Sequence, residues 1–386
     1  MNGPGFLTAV KAAFSAIRKG RRVFWKIRKT VFLAIFLVFA VTIGFLLHKT
    51  KATYGDLAPE SIVQEAGTLL KEGFNKELPK AIYASEDENE PDYFEQLLKG
   101  STKDKEPEIK PSGEELIFTD SIPVDGSSLL IRFLDVGQGD ATLITKGEHS
   151  VLIDTGEFDQ LDRLRGYLAD AEITTLDAVI GTHPHSDHIG SMATIIREYH
   201  PHTLYIPDVS SNTVSYDMML KDASENGTNL VTICAGDTLE IGDIFLQILA
   251  PAKRAEYEDL NNYSVVTKII YGSNSCLIAA DAQDVSEKEM LWSFASEKNE
   301  LSADILRVGH HGSETSTTKE FLAAVSPKAA VISVGEGNEF GHPHKKTMKA
   351  LEEHDINVLR TDINGTITAI LDGKNIVWHL EKGGNK

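Results

Sequence analysis

The sequence has very few cysteines. Cys234 and Cys276 are the two that occur among its 386 residues, and neither belongs to a CxxC pair. This spacing excludes a cysteine-rich zinc module. Both cysteines lie in apolar stretches, LVTICAG and SCLIAAD, which favours buried free thiols. A metal site in this chain would therefore have to be built from histidine and carboxylate side chains.

Acidic residues are missing from the first 51 positions, which contain ten Lys or Arg residues. The net charge of the chain is −19, so the residues after position 51 carry −29. Such an asymmetry indicates that two parts of the chain face different surroundings. The length suits one large globular domain or two smaller ones.

Charged residues are also missing from residues 31–47, an apolar run of 17 residues, VFLAIFLVFAVTIGFLL. At ~1.5 Å per residue, the run is at the short end of what spans a bilayer. The long basic segment before the run disfavours a cleaved signal peptide. The absence of a polar face disfavours a buried core helix. The basic residues favour a cytoplasmic N-terminus. We predict a basic cytoplasmic segment at 1–30, a single-pass membrane anchor at 31–47 and an extracellular remainder.

The rest of the chain divides into two parts. Residues 48–128 are predicted to be an acidic accessory or linker segment, with one helical pattern near its start. From residue 129 to 386, short β-runs separated by glycine turns alternate with helical patterns. This alternation predicts an α/β (α+β) domain in which two mixed sheets pack together with helices outside. Two strand–turn–strand units end in Asp154 and Asp281, which suggests pseudo-equivalent halves with matching strand ends at one edge.

The stretch GTHPHSDHIGS at 181–191 places three histidines and an aspartate within six residues. His183 and His185 are two residues apart in an extended loop and can share one ion. Asp187 and His188 then turn with a helix start and can serve a second. Two ions ~3.5–4 Å apart stabilise the attacking and leaving oxygens of a displacement. These donors suit zinc, manganese or iron, whereas a plain surface loop gains nothing from crowding four such groups.

The sequence resembles the metallo-β-lactamase-fold hydrolases, and more narrowly the hydrolase domain of the ComEC-type DNA-uptake proteins and their stand-alone, membrane-anchored relatives. The resemblance implies an αββα sandwich over about residues 129–372. The many-spanning channel domain of that family is not in this sequence. The motifs that carry the resemblance are LDVGQGDATLI (134–144), VLIDTG (151–156), THPHSDHIG (182–190), NNYSVV (261–266), ADA (280–282), DILRVGHHGS (304–313) and FGHPH (340–344).

The resemblance also implies a site for two divalent ions, zinc or manganese. Asp281 would bridge the ions, and His310 would complete the shell of the second. His311 is the alternative ligand or a phosphate contact; His310 is preferred because its offset from Asp304 repeats that of His183 from Asp177. The implied ligands are His183, His185, Asp187, His188, Asp281 and His310.

One histidine of the wider superfamily is missing here. It usually lies between the first motif and the bridging aspartate, where this sequence has Asn261, Asn262 and Ser264. We therefore expect the first ion to be weakly held or partly ligated by water. The two asparagines and the serine are predicted to contact substrate or to tie the backbone.

Several further residues are candidates for the site. Asp187, His311 and His342 are predicted to act in catalysis; His342 would donate a proton or bind phosphate, unless it caps the helix near His344. Ser313, with Thr315, would hold phosphate. Three aspartates are predicted to lie just behind the ligands: Asp135, Asp140 and Asp154, of which the last could orient a ligand histidine or form a turn.

These features together predict a membrane-anchored, extracytoplasmic, metal-dependent hydrolase, with a metal-activated hydroxide attacking a phosphodiester. Nucleic acid is one candidate substrate, but a charge of −29 repels a polyanion unless a local basic patch, for instance Arg307, Lys345 and Lys346, offsets it. Cell-wall phosphodiesters and small organic phosphates are the others. The rival functions are another hydrolase of this fold, a β-lactamase or thioesterase, and a non-catalytic membrane-anchored binding protein with a vestigial site. The sequence does not identify a protein partner.

Overall fold

The structure, a computed structural model, describes residues 115–294 and 300–383. The predicted cytoplasmic segment and anchor, and the accessory segment up to residue 114, lie outside the described residues. Within the described ranges, no helix combines the length and the apolar character that crossing a bilayer requires.

Two mixed β-sheets form the centre of the described part of the chain. The first contains β1 (Ile117–Phe118), β2 (Leu129–Phe133), β3 (Thr142–Lys146), β4 (His149–Ile153), β5 (Ala178–Ile180), β6 (Thr203–Ile206), β7 (Asn229–Thr232), β15 (Ile367–Leu371) and β16 (Ile376–Leu380). The second contains β8 (Thr238–Ile241), β9 (Ile244–Ala250), β10 (Val266–Tyr271), β11 (Asn274–Ile278), β12 (Ile305–Arg307), β13 (Ala329–Ile332) and β14 (Asn357–Arg360). Their strand orders are β1-β16-β15-β2-β3-β4-β5-β6-β7 and β14-β13-β12-β11-β10-β9-β8.

Helices cover the outer faces of both sheets. They are α1 (Leu161–Asp170), α2 (Ser186–Ile189), α3 (Met192–Tyr199), α4 (Val214–Asn226), α5 (Asp284–Ser293), α6 (Lys319–Val325), α7 (Lys345–Glu353) and α8 (Thr361–Asn364). Short 3₁₀ turns occur at Phe158–Gln160, Leu260–Tyr263 and Gly309–Gly312.

Alternation along the strands builds three hydrophobic layers. In β2, Leu129, Ile131 and Phe133 face the second sheet and join the core between the sheets. On neighbouring strands of the same sheet, Leu143 and Leu152 point the other way and pack against helices. Successive side chains of a strand point to opposite faces, so one apolar strand can serve both layers. A third cluster fills the space between the second sheet and its helices. The predicted αββα sandwich is confirmed.

The first sheet begins earlier in the chain than the predicted start at residue 129. β1 lies within the predicted linker and pairs in parallel with β16. The run of two residues is too short to give a periodic signal.

The two halves repeat one arrangement, as the sequence suggested. In each, an antiparallel hairpin is followed by a parallel strand: β3–β4–β5 in the first sheet and β10–β11–β12 in the second. Asp177 accepts a hydrogen bond of 2.8 Å from the backbone N–H of Ser150, and Asp304 accepts one of 3.0 Å from that of Ser275. An aspartate at the equivalent position therefore makes the equivalent hydrogen bond in both halves.

Candidate metal centre

The candidate site lies where strands of both sheets end. In the first sheet, Asp154 follows β4 and the HPHSDH loop follows β5. In the second sheet, Asp281 follows β11, and His310 and His311 follow β12. Parallel strands end at the same edge of a sheet. The two halves thus bring side chains that are distant in sequence to one place.

Four side chains form a compact group, here called the ligand cluster: Asp187, His188, Asp281 and His311. Each offers one nitrogen or oxygen atom, and these atoms lie within 4.8 Å of one another. Nε2 of His188 is 3.3 Å from Oδ1 of Asp281, and Nε2 of His311 is 3.5 Å from an oxygen of each aspartate. A tetrahedral centre with bonds of ~2.0–2.2 Å has edges of about 3.3–3.6 Å. These three spacings therefore match a cation held between the groups, whereas Nε2 of His188 and Oδ2 of Asp187 are farther apart, at 4.0 Å.

Three atoms of the ligand cluster are buried without a hydrogen-bond partner. They are Nε2 of His188, Oδ1 of Asp281 and Nε2 of His311, whose side chains are at most 2% exposed. An unpaired buried polar atom costs ~1–3 kcal/mol, and one divalent cation would satisfy all three. The residues present therefore fit a divalent metal.

Both cluster histidines are fixed from behind. Nδ1 of His188 lies 2.7 Å from Oδ2 of Asp154, which also accepts the Thr182 hydroxyl at 2.6 Å. Nδ1 of His311 lies 2.8 Å from the carbonyl oxygen of Ser333. Because carboxylate and carbonyl oxygens only accept, both Nδ1 atoms carry a proton and both Nε2 atoms face the cluster. Asp154 thus lies where the sequence placed it, behind a ligand histidine.

A second group of potential ligands adjoins the cluster. Nε2 of His183 and Nδ1 of His185 are 3.0 Å apart. Oδ2 of Asp281 is 4.0 Å from Nε2 of His183 and 3.7 Å from Nε2 of His310. Asp281 therefore presents one oxygen to the ligand cluster and the other to these histidines.

The electrostatics of the site favour added positive charge. Burial lowers the pKa of His183 well below its ordinary value, so this imidazole is neutral. Burial also opposes protonation of His188, but Asp281 and Asp154 outweigh it and raise the pKa of His188 well above its usual range. Burial would raise the pKa of Asp281, yet His188 and its neighbours hold it well below normal. A metal at Nε2 of His188 competes with that proton.

Of the two adjacent histidines, His311 rather than the preferred His310 enters the ligand cluster. Both have left-handed backbone conformations, with φ of 50° and 54°, so the turn after β12 does not repeat the course of the loop after β5. His311 is buried. His310 is 22% exposed, and its Nδ1 lies 3.1 Å from Oγ1 of Thr315. The matched offset from Asp304 therefore identified the turn, but the histidine that joins the ligand cluster is the next residue along the chain.

Two of the predicted substrate contacts prove to be ties within the fold. Oδ1 of Asn262 accepts from the backbone N–H groups of Gln283 and Ser286 at 3.3 and 3.2 Å, and so secures the start of α5. Oγ of Ser264 accepts from the backbone N–H of Asp281 at 3.1 Å. Both side chains are buried. These contacts correspond to the backbone-tie alternative.

The aspartates that flank GQG differ in position. Asp135 pairs with Arg163 at 3.3 Å and with Lys382 at 3.2 Å. The placement of Asp135 behind the ligands is therefore wrong, because surface cations hold this carboxylate elsewhere. Oδ2 of Asp140 lies 2.8 Å from Nη2 of Arg307, which is 0% exposed. Arg307 consequently cannot belong to the predicted basic patch on the surface, although its side chain approaches the site from inside.

The HHGS and GHPH segments supply two further candidates. The hydroxyl of Ser313 lies 3.0 Å from that of Thr315 and closes a local turn; it is 4% exposed, so it is poorly placed to hold phosphate. The His342 ring is half-buried, with its centre 5.7 Å from that of His310 and 6.4 Å from that of His311. His342 thus lies beside the site.

A cleft of about 520 Å³ opens onto the ligands. The sequence pointed to the predicted metal ligands and to Asn261, but not to the other lining residues, because exposed Glu, Asp and Phe residues have no pattern that marks them as functional. Oδ1 of Asn261 is buried without a partner. The lining residues are Gln138, Glu157, Asp159, Gln160, His185, Ser186, Asp187, Asn261, Asp281, His310, Glu339 and Phe340.

Part of the chain is similar in sequence to known proteins. ComE operon protein 3 of Bacillus subtilis is 34% identical over 255 residues, which cover 61% of this chain and 32% of that protein. Recombination protein 2 of Haemophilus influenzae is 32% identical over 243 residues, covering 61% of this chain and 28% of that protein. The matched region thus spans about a third or less of these relatives.

A solved structure is also similar: the metallo-beta-lactamase fold protein YhfI from Bacillus subtilis, 17% identical, aligns over 60% of this chain and 96% of that one with a TM-score of 0.41. The family model of the metallo-beta-lactamase superfamily matches residues 134–336, slightly more than half of the chain. That stretch includes both strand–ligand halves. The chain therefore belongs to the metallo-beta-lactamase superfamily of metal-dependent hydrolases.

Proposed function

We propose that this protein is a metal-dependent phosphodiesterase whose site takes two divalent ions. The observation that supports this most strongly is the position of Asp281, with Oδ1 in the ligand cluster and Oδ2 towards His183 and His310. A carboxylate used from both oxygens is suited to bridge two cations. When bound, such ions activate an attacking water and offset the charge that develops on the phosphoryl oxygens.

The residues divide between the two ions as follows. The ligand cluster would hold one, with His188 and His311 fixed in the required tautomer by Asp154 and a backbone carbonyl. His183, His185 and Oδ2 of Asp281 would hold the other. Nε2 of His310 is 3.7 Å from that oxygen. His310 could therefore supply an imidazole to this ion in place of the superfamily's additional histidine, which is missing here.

Asp187 and His342 would act on the reactants. Asp187 is the most accessible member of the ligand cluster, with 33% of its side chain exposed, and it lines the cleft. It is therefore placed to orient the water whose oxygen forms the new P–O bond. Burial, with the nearby His311, lowers the pKa of His342 to about 4. A neutral His342 would hydrogen-bond a phosphoryl oxygen, and the leaving oxygen would take the proton released by the water.

Nucleic acid is one phosphodiester that the site could take. The resemblance to DNA-uptake proteins and the similarity to Recombination protein 2 support that substrate. The net charge of −19 opposes it, because polyanion binding depends on Lys and Arg. The common element of these substrates is a phosphodiester, so the proposal is made at that level.

The proposal includes an extracellular location. The apolar run at 31–47 and the basic residues before it support a single-pass anchor with the N-terminus in the cytoplasm. Protease added to intact cells should then digest the hydrolase domain. Protection of that domain until the membrane is broken would contradict the anchor topology.

The proposed reaction is tested with the full-length protein in detergent, stripped of metal and reloaded with zinc or manganese. We expect bis-p-nitrophenyl phosphate to be hydrolysed and nitrocefin and a thioester to be left intact. Asp187→Ala should lose at least ~100-fold in rate while remaining folded, because it removes a partly exposed ligand in the short helix α2, outside the hydrophobic core. Hydrolysis of nitrocefin or the thioester alone would indicate the rival hydrolase class. Failure to take up any transition metal would indicate a binding protein.

A further inference from the structure

We infer that the cleft accepts phosphodiesters in which one alcohol arm carries a cationic amine; this inference rests on the proposed function and specifies its substrate. The cleft is lined by twelve residues, of which five are carboxylates and none is Lys or Arg. A site for a polyanion has the opposite composition, since each phosphate is normally met by Lys or Arg. The walls of this cleft therefore favour substrates that bring positive charge.

The five carboxylates have two different roles. Asp187 and Asp281 belong to the ligand groups, so bound metal would offset their charge. Glu157, Asp159 and Glu339 line the same cleft without a Lys or Arg beside them among its lining residues. The negative charge that remains on the wall attracts an ammonium group and repels a second phosphate.

The rim of the cleft adds an aromatic face. Phe340 directly follows Glu339, lines the cleft and is 59% exposed. Its ring lies against His342, with centres 5.8 Å apart and an interplanar angle of 26°. Cations bind over aromatic faces, and an adjacent carboxylate strengthens the attraction. An exposed ring next to a glutamate is thus suited to an ammonium group.

Asn261 provides an independent indication. It lines the cleft and is 7% exposed, and its Oδ1 is buried without a hydrogen-bond partner. A buried carbonyl oxygen without a partner requires a donor. An ammonium N–H supplies one, whereas an anionic phosphate oxygen would face it as a second acceptor.

The test compares three chromogenic esters that share the p-nitrophenyl leaving group: the 2-aminoethyl ester, its neutral propyl isostere and the thymidine 5′-ester. With the full-length, metal-loaded protein, we expect kcat/KM for the aminoethyl ester to exceed that for the propyl ester about tenfold. Added salt should reduce this ratio, because part of it is electrostatic. The double variant Glu157→Gln/Glu339→Gln should bring the ratio to within about twofold of unity. The matched control Glu240→Gln, an exposed carboxylate on β8 outside the cleft, should keep it.

Each outcome is informative. An equal or larger kcat/KM for the propyl ester overturns the inference, while the proposed function stands. A preference for the thymidine ester also overturns it and would assign Phe340 to base stacking. If no ester is hydrolysed, the proposed function fails. Calorimetric titration with 2-aminoethyl phosphate and propyl phosphate still decides the inference then, because tighter binding of the amine does not require turnover. Equal binding of the two ligands would overturn it.

Discussion

Oδ2 of Asp154 lies 2.7 Å from Nδ1 of His188, and both side chains are fully buried. Asp154 directly follows the hairpin of the first half, and His188 lies in α2, which begins six residues after the end of β5. The fold thus places an acceptor behind an imidazole of the candidate metal centre and fixes both its tautomer and its ring orientation.

We expect Asp154→Asn to weaken metal binding about 10–100-fold, because the amide lacks the charge that holds Nδ1–H and raises the basicity of Nε2. Competition with a chromophoric chelator measures this affinity directly. Asp243→Asn, in the exposed turn between β8 and β9, is the control and should bind metal as the unaltered chain does. Unchanged affinity in Asp154→Asn would contradict the role assigned to this pair.

The two neighbouring histidines of the HHGS segment should behave differently. His311→Ala removes a member of the ligand cluster, and we expect the protein to lose tight binding of one ion, by about 100-fold or more. His310→Ala leaves the cluster intact and should affect the other ion. Titration of each variant with cobalt, followed by visible absorption, measures the binding of the two ions, because tetrahedral cobalt absorbs strongly. The reverse pattern would restore the sequence-based preference for His310.

The same residues indicate how far the sequence could lead. The HPHSDH loop was identified as a ligand segment from its residue types and spacing, whereas Asp281 and the HHGS turn were implied by the resemblance to a known family. The choice between His310 and His311 depended on two consecutive left-handed residues. Hydrophobic periodicity does not predict such a turn. The directions of its side chains are set by how the backbone packs in the folded protein.

The outer parts of the fold were predicted less well for a similar reason. The core strands were recognisable from alternating apolar residues, whereas β1 has two residues and both are exposed. Its place in the sheet comes from pairing with β16 at the other end of the chain. Arg307 was assigned to the surface because arginine is usually exposed. Its burial depends on Asp140, 167 positions earlier in the sequence.

That buried pair should be important for stability. Arg307 and Asp140 are 0% and 1% exposed, with Nη2 and Oδ2 2.8 Å apart. We expect Arg307→Met to lower the free energy of unfolding by about 3–5 kcal/mol, because Asp140 is left charged and buried. Urea denaturation measures the loss. The double variant Arg307→Met/Asp140→Leu should recover part of it, since the unpaired charge of Asp140 is removed; recovery is incomplete because Nη1 of Arg307 also lies 3.8 Å from Asp281. Arg165→Met, which breaks a more exposed pair with Glu198, should cost much less. Equal losses for both arginines would argue against a special role of the buried pair.

Removal of metal should destabilise the folded protein itself. Without a cation, Nε2 of His188, Oδ1 of Asp281 and Nε2 of His311 are buried and unpaired. Metal at a thousandfold excess over its Kd should therefore add about 4 kcal/mol, which corresponds to a rise in Tm of roughly 8–16 °C. Thermal unfolding with zinc or manganese, then with excess EDTA, measures the difference. In Asp281→Asn the difference should largely vanish, because both ligand groups lose their shared carboxylate. An equal rise in Tm in that variant would show that the stabilising ion binds elsewhere, and the assignment of this edge of the sandwich as the metal centre would then be wrong.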